Sequence, residues 1–390
     1  MSRFLLFFFV FFQLSVLAQN KEITVVLKDY ETNLPVSDAT ITVLSTGQGL
    51  VSNEEGVFKL SLEKPSKIEI IHASYKKVTV NSSALKLQEN IIYLDSNTKT
   101  LEEIIVTKNH PQEILKKLIE NSSKRLTTPI NLKIYMREFF KSNDKYSSFN
   151  DGLLNFYIHG KPGSIKADIL VEQNRFYGLI NDVVHESTLG YNLNDIISNY
   201  YDFKYLNKVQ EAYSKKKYEY EIKTYPGNED YYLMNIRPIP TIEEYLPDYF
   251  VVYDYKKNLI IEINSSVLTE RYEFKGVTDF VVVKGKVFNS EFNATYKDDG
   301  KDYFLTKSKE EIGFIITNKK KAEERIEVKN YLVTTNHSSK PVPYDKEDVY
   351  RDKSLFNKRN SILTNYWEFD SGLTPTEEEK KIIEALAGRL

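Results

Sequence analysis

The chain has 390 residues, no cysteine and a formal net charge of −2. The absence of cysteine excludes disulfides, thiolate metal sites and lipid attachment through an N-terminal cysteine. The nearly balanced charge gives no basis for nucleic-acid binding, and the length predicts two or three domains of roughly 100–200 residues each.

Residues 1–18 have the pattern of a secretory signal peptide. Arg3 supplies the positive start, residues 4–12 form an unbroken apolar run, and small residues precede a cleavage after Ala18. This run is too short to cross a bilayer core of about 30 Å as a helix, and no later stretch is long and apolar enough to be a membrane helix. The sequence therefore predicts an exported protein with no transmembrane segment in the mature chain.

Residues 19–107 predict a compact β-sandwich. Runs of β-branched and apolar residues recur between turns at 22–28, 39–44, 57–62, 67–71, 76–80 and 90–94. Gly56 follows an Asn-Glu-Glu turn and is placed to take the positive φ that closes a hairpin. Since residues two apart in a strand share a side, one apolar face is predicted to contain Ile41, Val43, Phe58, Leu60, Ile68 and Ile70.

Two segments of this region, DYETNLPVSDATITVLSTGQGLVSNEEGVFKLSL and IEIIHASYKKVTV, resemble the carboxypeptidase-like regulatory domain. The places of the family pattern are occupied here by Pro35, Ala39, Gly56, Phe58 and Tyr75. Ser74 stands where the family often has glycine. The resemblance implies a transthyretin-like sandwich of seven strands, which serves as an accessory module in envelope proteins of the Bacteroidetes type.

The segment LEEIIVT at residues 101–107 is similar to the one that follows this module in outer-membrane transporters of that group. In those proteins it precedes a plug and a barrel. This chain has neither a glycine-rich plug nor the length for a large barrel, so the transporter role is not expected here.

Residues 108–340 predict a larger antiparallel β domain that begins with a helix. Pro111 suits the first position of a helix over residues 110–124, and strand-like runs follow from residue 132 to 333. A second short helix is predicted at 193–201, with Asn192 as its cap. The short turns between the runs favour one large curved sheet or open half-barrel. The predicted hairpin DYFVVYDYKKNLIIEI, with Lys257 and Asn258 at its turn, resembles the half-barrel of lipoprotein-carrier folds, a likeness that bears on fold and not on function.

Residues 341–390 predict a loop followed by a helix that packs on the sheet. Thr374 or Thr376 is expected to cap this helix, and three glutamates fall in its first turn. Its apolar residues Ile382, Ile383 and Leu386 are expected to dock on the β domain. The Tyr-Trp-x-Phe at 366–369, followed by Thr-Pro-Thr-Glu-Glu-Glu at 374–379, resembles the end of uncharacterised Bacteroidetes envelope proteins that carry the same N-terminal module.

Catalytic motifs are weak in this sequence. His110 and Glu113 have the His-x-x-Glu spacing of carboxypeptidase zinc sites, for which His159 and His185 are the remote candidates for a further ligand. The βαβ alternation of that enzyme class is missing, and the pair is better explained as the start of a helix. There is no Gly-x-Ser-x-Gly elbow and no phosphate-binding glycine pattern. We therefore predict no catalytic, cofactor-binding or metal-binding residue.

Aromatic residues are abundant, with 28 tyrosines and 22 phenylalanines. The pairs at 200–201, 231–232 and 366–367 would suit stacking on sugars, but strand packing explains tyrosines that are spread along most strands. The lysine runs at 215–217 and 319–321 are interpreted as solvated turns rather than as a membrane-binding surface.

These patterns predict a mainly β protein, exported to the periplasm, the outer membrane or the cell surface. The favoured function is a non-catalytic binding or scaffold role in the envelope, with a protein partner and a lipid or glycan as further ligand classes. The first alternative is a carrier that holds a lipid or other hydrophobic ligand in the half-barrel. The second alternative is a hydrolase, such as a zinc peptidase, with an unrecognised site.

Overall fold

The computed structural model describes residues 21–72, 74–87, 89–96, 103–178, 192–226, 228–279, 284–317, 323–363 and 371–388. The predicted signal peptide, His185, the run 319–321 and the pair 366–367 lie outside these described residues. Within them the chain is mainly β, with large antiparallel sheets and few helices, which confirms the predicted fold class. None of the helices in these ranges is long and apolar enough to span a membrane.

The N-terminal region is a sandwich of two small sheets. Its strands are β1 (Lys21–Asp29), β2 (Thr40–Val43), β3 (Gln48–Val51), β4 (Val57–Leu62), β5 (Lys67–His72), β6 (Tyr75–Asn81) and β7 (Asn90–Leu94). One sheet has the order β4-β1-β7 and the other β3-β2-β5-β6. The predicted apolar face is confirmed, because all six of its residues are buried in one core between the sheets. Gly56 has a φ of 73°, as its turn requires.

The remaining strands form one large antiparallel sheet. They are β8 (Ile130–Ser142), β9 (Lys145–His159), β10 (Lys166–Gly178), β11 (Tyr218–Thr224), β12 (Tyr231–Pro238), β13 (Asp248–Asp254), β14 (Leu259–Ser266), β15 (Thr278–Asp279), β16 (Lys284–Asp298), β17 (Tyr303–Thr317) and β18 (Glu323–Ser338). The order is β10-β9-β8-β18-β17-β16-β14-β13-β12-β11, with β15 beside β16.

Both end strands of this sheet carry short backbone pairings from other parts of the chain. The Ile105 amide donates to Ile222 on β11 at 2.8 Å, so part of the LEEIIVT segment lies along the last strand. On β10, Asn174 and Ser361 exchange backbone hydrogen bonds of 3.0 and 2.9 Å. These contacts satisfy backbone groups that an edge strand would otherwise expose.

Four α-helices lie within the described residues: α1 (Pro111–Arg125), α2 (Leu193–Tyr201), α3 (Asn207–Gln210) and α4 (Glu377–Ala387). Helix α1 begins at Pro111 and α2 is capped by the Asn192 side chain, as predicted. Helix α4 has a capping box, in which the Thr376 hydroxyl accepts from the Glu379 amide and the Glu379 carboxylate accepts from the Thr376 amide.

Helices α1 and α2 pack on one face of the large sheet, which we call the inner face. Leu115 and Leu118 of α1 and Ile196 and Ile197 of α2 share a continuous core with residues from nearly every strand of the sheet. The inner face is therefore filled by side chains of the chain itself.

The sandwich lies on the opposite face, which we call the outer face. Val51 of β3 packs against Val333 of β18, and a Cβ on Gly49 would lie only 2.5 Å from the carbonyl oxygen of Thr334. Because any larger side chain at position 49 would collide with backbone, glycine permits this close approach of the two domains.

The C-terminal residues join the two domains. The Val51 amide donates to the Gly372 carbonyl at 2.7 Å, so residues 371–374 extend the sheet of the sandwich beside β3. On the other side, the Arg137 guanidinium on β8 donates to the Leu373 carbonyl at 2.6 Å. Helix α4 then packs through Ile383 and Leu386 on the outer face at β8 and β9, in agreement with the predicted docking.

Candidate functional site

A cleft of about 380 Å³ lies between the sandwich and the outer face. We call it the interdomain cleft. The sandwich contributes Ser37, Asp38 and His72. The outer face contributes Phe250, Glu262, Asn264, Ser266, Glu291, Asn293, Lys307, Lys309 and Glu311. Ser265 and Phe292 also border the cleft, although their side chains alternate to the inner face. Its volume is within the range of small-molecule sites, roughly 300–1,000 Å³.

The period of two along each strand explains why polar groups meet on this face. Asn264 of β14 lies opposite Asn293 of β16, which in turn lies opposite Lys309 of β17. The alternate residues between them face the inner core, as Ile263 and Ala294 do. A continuous polar row therefore crosses three neighbouring strands at the floor of the cleft.

The charged groups of the cleft largely pair with one another. The Lys307 ammonium lies 2.6 Å from the Asp38 carboxylate, across the domain boundary. The Lys309 ammonium lies 3.0 Å from the Glu311 carboxylate on the same strand and 3.4 Å from Glu54 of the sandwich. These pairs fix the cleft walls relative to each other.

The amides of the floor are oriented by Glu262. Its Oε1 atom accepts from the Asn264 amide at 2.8 Å and from the Asn293 amide at 3.1 Å. The carbonyl oxygen of the Asn293 side chain is buried and has no hydrogen-bond partner among the described residues. The floor therefore holds a fixed acceptor whose hydrogen-bonding capacity is unused.

His72 closes the cleft on the sandwich side. Its Nδ1 atom accepts from the backbone amide of Ser74 at 3.0 Å, which places the ring proton of the neutral form on Nε2. Burial lowers the pKa of His72, although the charges of Glu262 and Asp38 act to raise it. The imidazole is therefore neutral at pH 7 and is a donor through Nε2.

The ion pairs between the domains predict an acid-sensitive attachment of the sandwich. Burial acts to raise the pKa of Asp38, but the Lys307 ammonium outweighs it and holds the pKa below the ordinary 3.8. The hydrogen bond from Lys329 lowers the pKa of Glu54 from the ordinary 4.5. A carboxyl with a depressed pKa stabilises the folded state above its unfolded pKa and loses that contribution as the pH falls through the folded value.

We therefore expect the urea midpoint of unfolding to decrease as the pH is lowered from about 5 to about 3. The variant Asp38→Asn with Glu54→Gln is expected to be less stable than the native protein at neutral pH and to show a shallower decrease. An equally steep decrease of the urea midpoint with falling pH in both proteins would contradict the role assigned to Asp38 and Glu54.

A second polar cluster lies on the inner face and is buried. Asn150, Glu138, Asn330 and Glu310 are successive cross-strand neighbours on β9, β8, β18 and β17, and we call them the inner polar row. The Glu138 carboxylate accepts from the Asn150 amide at 3.0 Å and from the Asn330 amide at 3.3 Å.

Glu310, at the end of this row, accepts from two tyrosine hydroxyls. Tyr200 of α2 donates at 2.5 Å and Tyr205 donates at 2.6 Å. Burial, together with the negative charge of Glu310, raises the pKa of both tyrosines well above the ordinary value of 10.0, so both hydroxyls remain donors. The row is enclosed by the core, since the side chains of Glu138 and Glu310 are almost completely buried.

The His-x-x-Glu pair has structural contacts instead of a metal-like arrangement. The Nδ1 atom of His110 accepts from the Gln112 amide at 3.1 Å and its ring packs edge-on against Tyr220. Glu113 lies 3.3 Å from the Lys215 ammonium, and the first two lysines of the run 215–217 lie at the end of a 3-10 helix, Ala212–Lys216, instead of in the predicted turn. His159 is paired with Asp168 instead, at 3.6 Å.

Asp299, Asp302 and His337 form a compact group with metal-ligand chemistry that the sequence did not suggest. The Nε2 atom of His337 is 3.3 Å from Asp299 and 3.9 Å from Asp302. The Asp299 carboxylate accepts from the backbone amides of Lys301 and Asp302, and Ser339 donates to Asp302. These hydrogen bonds give the group a structural role, because they hold the β16–β17 turn against the end of β18.

Two of the three aromatic pairs lie within the described residues and take part in packing, one on helix α2 and one on strand β12. Tyr200 and Tyr201 are 0% and 1% exposed, and Tyr232 stacks on Tyr255 with ring centroids 4.2 Å apart. The sequence did not single out the interdomain cleft as a site, because its walls come from segments more than 150 residues apart. The only available indication was the alternation in β14, β16 and β17, which places Glu262, Asn264, Asn293, Lys307 and Lys309 on polar faces.

No protein-family model and no curated protein sequence matches the chain. Among solved structures, the chain is similar to a LolA superfamily protein from Nitrosomonas europaea, at 8% sequence identity. The alignment covers 61% of this chain and 97% of that protein, with a TM-score of 0.21. A likeness at this TM-score supports no inference about fold or ligand.

Proposed function

We propose that the chain is an exported, non-catalytic binding protein of the cell envelope and that its ligand site is the interdomain cleft. The observation that carries this proposal is a polar cleft of small-molecule size walled by both domains. Export is inferred from the signal-like pattern of residues 1–18, and the envelope role from the resemblance of the N-terminal module.

The cleft differs from an accidental gap because its floor is preorganised. Glu262 fixes the amides of Asn264 and Asn293, and each side chain is held on a strand of the large sheet. Groups on rigid strands lose little conformational freedom when a ligand binds, so their hydrogen bonds contribute efficiently to affinity.

The alternative functions find less support in the packing. A carrier for a hydrophobic ligand needs an apolar cavity, whereas α1 and α2 occupy the inner face with their own side chains. The zinc-peptidase hypothesis relied on His110 and Glu113, whose contacts are those of a helix start and a surface ion pair.

Native mass spectrometry of the protein purified gently from its own envelope tests the proposal. We expect the mature chain to begin after Ala18 and to retain an additional small-molecule mass. The variant Asn293→Leu should lose this mass, since an apolar side chain in the floor removes an amide and narrows the cleft. The variant Asn155→Leu is the matched control, because Asn155 is also half-buried but lies on β9, outside the cleft lining.

A lipid mass that Asn293→Leu retains would contradict the proposal and favour the carrier. A native protein whose measured mass is that of the polypeptide alone would also contradict small-molecule binding at the cleft. Recovery of the chain in the cytosol would contradict export.

A further inference from the structure

We propose that the ligand of the interdomain cleft is a neutral carbohydrate of about disaccharide size. This inference rests on the proposed function, since it names the chemical class that the same cleft selects. It follows from three properties of the cleft: both of its lysines are paired with carboxylates, most of its other polar groups carry no positive charge, and an aromatic ring borders its floor.

The pairing of charges disfavours anionic ligands. A nucleotide, a phosphate or a lipid head group needs a cation that is not already neutralised. The two lysines of the cleft, Lys307 and Lys309, are each within 3.0 Å of a carboxylate. His72 supplies no positive charge at neutral pH, because burial lowers its pKa. Four carboxylates line the cleft against these two lysines, which repels an anion further.

The remaining groups match hydroxyls. A sugar hydroxyl is both a donor and an acceptor, so it is recognised where donors and acceptors lie side by side. The Glu262 carboxylate at the floor is an acceptor, and the side-chain amide of Asn293 donates to it and holds it in place. The neutral His72 ring on the opposite wall has its proton on Nε2, and Ser266 adds a hydroxyl at one end.

The aromatic ring provides an apolar contact. Phe250 of β13 is the cross-strand neighbour of Asn264 and is half-buried beside the amide row. The face of a pyranose that carries axial hydrogens is apolar and packs well on such a ring, while its equatorial hydroxyls reach the polar groups alongside. A cleft of about 380 Å³ has room for a short saccharide and not for a long chain.

The test is a glycan microarray that carries neutral and acidic oligosaccharides, probed with the full mature chain, followed by calorimetric titration. For the titration we name maltose, cellobiose, lactose and N,N′-diacetylchitobiose as neutral probes, with inorganic phosphate as the anionic probe. We expect binding to neutral glycans. Asn293→Leu should weaken it by about tenfold or more, as the loss of one to two hydrogen bonds implies, while Asn155→Leu leaves it unchanged.

A far-ultraviolet circular dichroism spectrum and a urea midpoint for each variant establish that it is folded. A second variant, Phe250→Ala, removes the ring, which also has the Arg237 guanidinium 5.8 Å from its centroid, and should weaken binding as well.

The outcomes separate the two proposals. Binding to acidic glycans or phosphate alone would overturn the neutral-carbohydrate inference. If no glycan binds, but the native protein has an additional small-molecule mass that is absent from Asn293→Leu, this inference would be overturned and the cleft would be a site for another ligand. If no glycan binds and the mass of the native protein is that of the polypeptide alone, both the carbohydrate inference and the proposed small-molecule site would be overturned. Glycan binding that persists in Asn293→Leu and Phe250→Ala would place the carbohydrate site elsewhere.

Discussion

Replacing Arg137 by methionine is expected to lower the free energy of unfolding by about 3 kcal/mol. The guanidinium is 1% exposed and joins three partners: the Leu373 carbonyl at 2.6 Å, the Glu379 carboxylate at 3.0 Å and the Tyr135 hydroxyl at 3.0 Å. Removing it takes a buried donor from the Leu373 carbonyl and the Tyr135 hydroxyl, and it leaves the Glu379 carboxylate with the Thr376 amide as its remaining donor. We place the effect at the low end of the range for broken buried ion pairs because the Glu379 side chain is 15% exposed.

Urea denaturation measures the loss, and hydrogen exchange locates it. The amides of α4 and of residues 371–374 should exchange faster in the variant, since Arg137 holds this segment against β8. The control is Lys141→Met on the same strand, whose ammonium is 3.9 Å from Glu327 at the surface. Its effect should remain within about 0.5 kcal/mol. Equal effects at positions 137 and 141 would refute the assigned role.

Replacing Glu310 by leucine is expected to destabilise the protein by about 2–4 kcal/mol, because two buried tyrosine hydroxyls lose their acceptor. The carboxylate is 4% exposed, and the raised pKa values of Tyr200 and Tyr205 keep both hydroxyls protonated. Leucine fills a similar volume, so the loss reports mainly on hydrogen bonding.

The triple variant Glu310→Leu, Tyr200→Phe, Tyr205→Phe tests the cause. Replacing all partners by apolar groups of similar shape is expected to recover most of the lost stability, as urea midpoints would show. Glu219→Leu, at an exposed position of β11, is the control and should change stability by less than about 0.5 kcal/mol. A triple variant less stable than the single one would show that the carboxylate acts through other contacts.

The strands were predictable because their side chains alternate strictly. In β2 and β4 every second residue is apolar, and these residues form the core of the sandwich as expected. Strand β3 was missed, since Gln48 and Gly49 offer neither alternation nor β propensity. Strand β3 pairs with residues 371–374 and approaches Thr334 closely, which requires glycine at position 49. No local sequence pattern indicates partners so far away in the chain.

The inner polar row escaped prediction for a related reason. Glu138 interrupts an apolar run and Glu310 lies within the polar stretch 306–311, so each by itself resembles a solvent-facing residue of a strand. Only the pairing of β8, β18 and β17 places them in one buried line with Asn330 between them. The interdomain cleft is equally non-local. Its floor lies on the large sheet and one wall on the sandwich, so the position of the sandwich on the outer face had to be known first.

The position of residues 371–374 also determines the order in which the molecule is assembled. The Asn53 side chain donates to the carbonyl oxygen of Thr374, 321 positions later in the chain. The chain is delivered with its N-terminus first, so a sandwich made of local strand pairs folds early. Contacts between residues so far apart in the sequence form late. The sandwich is therefore expected to be folded but not yet docked on the outer face of the large sheet until nearly all of the chain is available for folding. Because the cleft is walled by the sandwich and the large sheet, it is completed only when the sandwich docks, so a chain stalled before docking would contain folded domains without a finished binding site.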